Sequence, residues 1–70
     1  MKYSLKALRV NKGMKQEESA EKLGIDVSTL QRYERGKAFP NVLMIEKITK
    51  LYGVKYDDIN FFVYQLRFKR

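Results

Sequence analysis

The sequence predicts an all-α domain of five short helices followed by a C-terminal tail, and three observations carry that expectation. Residues 42 to 52 place Met44, Ile45, Ile48, Leu51 and Tyr52 at the i, i+1, i+4, i+7, i+8 spacing of a buried helical face. Glycines at 13, 24, 36 and 53 each follow a stretch that can be helical, and glycine commonly closes a helix. Ser4, Asp26 and Asn41 stand just ahead of such stretches, where a short side-chain oxygen can cap the first turn.

Taken in order, SLKALRVNK (residues 4 to 12) reads as the first helix. Ser4 caps it, Leu5 and Leu8 share a face and Gly13 ends it. KQEESAEKL (15 to 23) reads as the second. Glu17 and Glu18 fall in its first turn, where the helix dipole favours acids. Met14, Ala20 and Leu23 give it a thin apolar side, and Gly24 breaks it. The third helix runs from Val27 to about Arg35, with Asp26 as its cap and Gly36 as its stop. Pro40 lies in the following loop, Asn41 caps the fourth helix (42 to 52), and a short fifth helix starts near Tyr56 with Asp57 and Asp58 in its first turn.

The final stretch supports two patterns. Phe62, Tyr64, Leu66 and Phe68 alternate as a strand face does, while Ile59, Phe62, Val63 and Leu66 suit a helix. The expectation is a short helix and then an extended tail, so that residues 1–60 form the domain and 61–70 a basic aromatic tail. Three uses of the tail are open. Phe61, Phe62 and Val63 complete the core with Arg67, Lys69 and Arg70 solvated, or the tail pairs two copies of the chain, or, the weakest option, it touches a membrane surface.

Composition narrows the chemistry. Seventy residues suit one domain with a modest core. Fifteen Lys and Arg against eight Asp and Glu give a net charge of +7, which favours an anionic partner. Without cysteine there is no disulfide or thiolate site, and without histidine there is no imidazole base and little prospect of zinc. Glu17–Glu18 and Asp57–Asp58 do not form catalytic pairs, because adjacent helical residues point about 100° apart. The expectation is no catalytic residue, no metal and no cofactor: not an enzyme. No apolar run of about 18 residues occurs, and MKYSLKALR interrupts its apolar positions with cations. A cytoplasmic protein with no membrane partner is therefore expected.

The third helix carries the functional signal. At about 100° per residue, Leu30 and Tyr33 fall on one side and Val27, Ser28, Gln31, Arg32 and Arg35 on the other. The second side is small and polar at its start and basic towards its end. That layout suits a helix entering the DNA major groove: short side chains let the backbone approach base edges, arginine can bond guanine bidentately and glutamine adenine. The preceding helix is short and joined by the tight turn Gly24-Ile25-Asp26, and Ala20 suits the crossing point of the two helices.

QEESAEKLGIDVSTLQRYERGK resembles the helix-turn-helix of the phage repressor and Cro family, also called the xenobiotic-response-element type. The match rests on Gln16, Ala20, Gly24, Glu34, Gly36, Lys37 and Pro40, in that order, and extends from about Leu5 to Ile59. The resemblance implies a five-helix lambda-repressor-like fold that binds duplex DNA. It also implies roles by position. Val27, Ser28, Gln31 and Arg32 face bases; Lys15, Gln16, Arg35, Lys37 and the loop amides to Phe39 hold phosphates; Arg9 and Glu34 form an internal salt bridge.

Three positions depart from the family pattern. Lys15 stands where threonine or serine is usual as N-cap, at an expected cost of about 1 kcal/mol. Ser19 stands where leucine is usual, so the second helix is expected to bury less. Lys55 replaces another common capping serine. The functional expectation is a sequence-specific, double-stranded-DNA-binding transcriptional regulator, a repressor in preference to an activator, working as a homodimer through the tail or otherwise. The alternative is a protein-interaction module on the same scaffold, an antitoxin or a binder of a partner regulator.

Overall fold

The computed structural model describes residues 2–60. They form four α-helices, α1 (Leu5–Asn11), α2 (Gln16–Leu23), α3 (Val27–Glu34) and α4 (Val42–Tyr52), and one 3₁₀ turn at Tyr56–Asp58. The expectations for the tail, residues 61–70, lie outside the described residues.

The expected fifth helix is this single turn, and the backbone gives the reason. Asp58 C=O accepts from Tyr3 N–H (2.8 Å), and Asn60 N–H donates to Tyr3 C=O (2.8 Å). Tyr3 and Ile59 thus form an isolated parallel bridge, with Ile59 extended at φ −98°, ψ 128°. Groups that a continuing helix needs are committed to the N-terminal segment instead. Within the turn, Asp58 Oδ2 accepts from Lys55 N–H (3.0 Å), so the carboxylate three residues on ties down the main chain at the position that lacks serine.

The caps divide. Ser4 Oγ accepts from Ala7 N–H (3.0 Å) and Asn41 Oδ1 from Met44 N–H (2.8 Å), as expected of N-cap side chains. Asp26 holds the N-cap position of α3, but its carboxylate makes no cap bond. Its main-chain carbonyl takes the Thr29 N–H instead (3.0 Å), the donor an N-cap side chain ordinarily receives. Lys15 has only donors on its side chain, and α2 starts without a side-chain cap.

Gly24 sets the angle between α2 and α3. At φ 75° it takes the left-handed conformation, which lets Ile25 N–H reach back to Ala20 C=O (3.0 Å) and Gly24 N–H to Glu21 C=O (3.1 Å). This pair of reverse bonds closes the helix and turns the chain within two residues.

The core comprises Leu5 and Leu8 of α1, Ala20 and Leu23 of α2, Leu30 of α3, Ile48 and Tyr52 of α4, and Ile59. Of the five apolar positions expected to be buried in α4, only Ile48 and Tyr52 are; Met44, Ile45 and Leu51 are half-buried. The start of α4 stands clear of the core, with Val42 71% and Leu43 70% exposed. Ser19 brings less apolar surface to α2 than a leucine would, yet the residue itself faces the core. It is fully buried, and its hydroxyl is hydrogen-bonded to the Tyr52 hydroxyl. The polar pair bridges α2 and α4, so neither oxygen is orphaned. No helix among the described residues is long and apolar enough to cross a membrane.

Candidate nucleic-acid interface

Helix α3 is anchored by Leu30, which is 1% exposed. Its neighbours on that side, Val27 and Tyr33, are half-buried and pack against the core. Val27 therefore has a structural share in addition to the outward role expected of it. On the opposite side Ser28, Arg32 and Arg35 are exposed, and Gln31 and Thr29 half-buried. Lys37, just past the turn at Gly36, is exposed, as is Lys15 at the start of α2.

Beneath this surface lies a buried ion pair. Arg9 of α1 donates through Nε to Glu34 Oε2 (2.7 Å) and through Nη2 to Glu34 Oε1 (3.3 Å). A third donor, Nη1, bonds Met14 C=O (2.9 Å). The side chains of Arg9 and Glu34 are 9% and 4% exposed. The hydrogen bond from Glu34 raises the Arg9 guanidinium above its ordinary pKa, while burial pulls the other way. Arg9 thus fastens the end of α3 to α1 and to the turn that precedes α2. A fork of guanidinium donors on a carboxylate fixes orientation as well as distance.

Glu34 accepts once more, from Gln16 Nε2 (3.1 Å), and Gln16 Oε1 accepts from Gln31 Nε2 (3.2 Å). One chain of hydrogen bonds therefore runs Arg9, Glu34, Gln16, Gln31, from the interior to the outer side of α3. Two residues assigned separate tasks from sequence, Gln16 and Gln31, touch each other. Fifteen positions of separation and no shared periodicity leave no local signal for that contact. The Ser19–Tyr52 pair was likewise invisible, since each residue reads alone as an ordinary small or aromatic position.

The structure thus has a short helix, a glycine turn and a second helix whose outer side is polar and then basic, supported by two further helices. That arrangement is a helix-turn-helix domain. A profile of the Helix-turn-helix family matches residues 5–59, and the chain belongs to that family. It is 40% identical over 65 residues to an uncharacterized HTH-type transcriptional regulator, MJ0272, of Methanocaldococcus jannaschii, an alignment covering 93% of this chain and 96% of the relative. It is 38% identical over 50 residues to the cryptic phage CTXphi transcriptional repressor RstR of Vibrio cholerae, covering 71% of this chain and 45% of that protein. The HTH-type transcriptional activator BcrR of Enterococcus faecalis is 33% identical over 55 residues, 79% of this chain and 27% of BcrR. No solved structure matches the chain.

Proposed function

We propose that the protein is a sequence-specific, double-stranded-DNA-binding transcriptional regulator that acts as a repressor in the cytoplasm, with no catalytic step of its own. The observation that carries this reading is the exposed surface of α3, polar at Ser28 and basic at Arg32 and Arg35, on a helix whose other side is packed and whose end is fixed by the Arg9–Glu34 pair. A rigid helix with that surface can lie in the major groove, where arginine and serine meet base edges and Val27 meets a thymine methyl. Lys15, Arg35 and Lys37, with Gln16 at the start of α2, hold the phosphates on either side.

A domain this small gains little affinity from one half-site. Two copies on a two-fold symmetric site one helical turn apart multiply it, which favours a homodimer, with the tail at 61–70 as the pairing segment. Repression follows from occupying the site and excluding polymerase.

Selection of bound duplexes from a random pool at fixed salt tests the proposal. Enrichment of a two-fold symmetric sequence supports it. A pool that stays random at every position, with binding no tighter than a polycation of equal charge achieves, contradicts it.

A further inference from the structure

A cleft of about 390 Å³ lies against α1, lined by Tyr3, Ala7, Leu8, Asn11 and Val54. Its walls are open: Tyr3 is 46% exposed and Ala7 is exposed, while Leu8 is buried. An apolar cavity of about 150 Å³ holds one benzene ring, so the cleft has room for two sizeable side chains. None of the five lining residues is charged, which suits an apolar occupant and not an anionic one. Asn60, the last described residue, stands at the edge of this cleft. Its N–H donates to Tyr3 C=O (2.8 Å), and the bridge between Tyr3 and Ile59 is parallel. The chain therefore leaves Asn60 beside one wall of the cleft, in the sense in which Tyr3 leads into α1.

We propose that residues 61–64 of the chain's own tail occupy this cleft, with Phe61 and Val63 turned into it. Length and side both agree with that occupant. The seven residues of α1 rise about 10 Å, which three or four extended residues at about 3.3 Å each cover. Ile59 is extended and only 2% exposed. Side chains two apart along an extended chain share a face, so Phe61 and Val63 follow Ile59 inward. The tether favours the chain's own segment over a free partner, because Phe61 begins one residue from the wall and its effective concentration there is high. Phe62, Tyr64, Leu66 and Phe68 form the opposite row, and the pairing of two copies falls to it; this clause alone rests on the homodimer reading.

The test uses the full wild-type chain, so no variant has to fold for it to be decided. Nuclear Overhauser contacts are expected from the ring of Phe61 to the methyl groups of Ala7, Leu8 and Val54. Contacts from Phe62 in place of Phe61 overturn the assigned side, and contacts from no tail residue overturn the seat. Contacts seen only between differently labelled chains in a mixed sample place a second copy's tail in the cleft, which overturns it as well. Ala7→Gln gives an independent readout. On an open helix surface this change shifts the melting temperature by less than about 4 °C. Against a seated Phe61 it crowds a packed contact, and a fall of roughly 4–24 °C is expected; the smaller shift counts against the seat. Phe62→Ser is expected to separate two copies in sedimentation without that fall. A wild type that sediments as a monomer removes the homodimer reading only, and a seated Phe61 in that monomer still supports the proposal.

Discussion

Replacing Ser19 by alanine isolates the one polar contact that ties α2 to α4. Tyr52 is 3% exposed and its hydroxyl is bonded to Ser19 Oγ. Ser19→Ala removes the partner and strands the phenol oxygen in the core, at a cost of about 1–3 kcal/mol. Tyr52→Phe strands the serine hydroxyl and has a similar cost. The double variant removes both polar groups and leaves an apolar contact, so it is expected to be nearly neutral. The three variants form a cycle whose coupling energy, two single costs of about 1–3 kcal/mol set against a near-neutral double, is about 2–6 kcal/mol, the double being far more stable than the sum of the singles implies. Urea unfolding followed by circular dichroism reads this as shifts in midpoint at constant m-value; in melting temperature each single variant falls by roughly 4–8 °C per kcal/mol. Single changes that simply add, or a double variant as unstable as their sum, refute the pairing. The same contact has a pH signature. Burial raises the Tyr52 phenol above its ordinary value of 10.0, and the Ser19 hydrogen bond opposes that only in part. The folded state then retains a proton that the unfolded state has lost, so this contribution is complete below pH 10 and disappears as pH rises through the raised value. Wild type should therefore lose stability more steeply than Tyr52→Phe in alkaline solution.

The ion pair, the outer surface of α3 and the uncapped start of α2 each make a further prediction. Glu34→Ala leaves the Arg9 guanidinium buried without its counter-charge and is expected to cost about 3–5 kcal/mol in urea unfolding, a large share of a small domain's total of about 5–15 kcal/mol; a cost below about 1 kcal/mol would remove the pair from the account. Arg32→Ala should relax preference at one base position and cost about 1–3 kcal/mol on the selected site, whereas Lys37→Ala should weaken all duplexes alike and reduce the salt slope by about 1. Lys15→Ser should stabilise the free protein by about 1 kcal/mol by supplying the missing cap, while lowering duplex affinity through the lost cation; a rise in both would place Lys15 away from phosphate.

Much of this architecture was legible because its signals are local. The periodicity of α4 and the side chains of Ser4 and Asn41 act within a turn of where they stand, and α4 occupies the expected residues 42 to 52. Asp26 shows the limit of that logic: the right residue stands at the right place, yet a tighter first turn hands its donor to a main-chain carbonyl. The shortened fifth helix was hidden for a different reason. Pairing with Tyr3, far away in sequence, decides the conformation at Ile59. In the candidate site, the outward set of Ser28, Arg32 and Arg35 followed from helical angle alone. The partners of Gln16, and the burial of Ser19 against Tyr52, depend on how three helices meet, which no window of the sequence encodes.

The most direct measurement of the central claim is a titration of the isotope-labelled chain with its selected duplex, following backbone amide resonances. The largest shifts are expected at residues 15–17 and 27–37, with the amides of α1's exposed side and the end of α4 nearly still. Shifts concentrated instead around Leu43 to Lys50, with α3 unmoved, would contradict it.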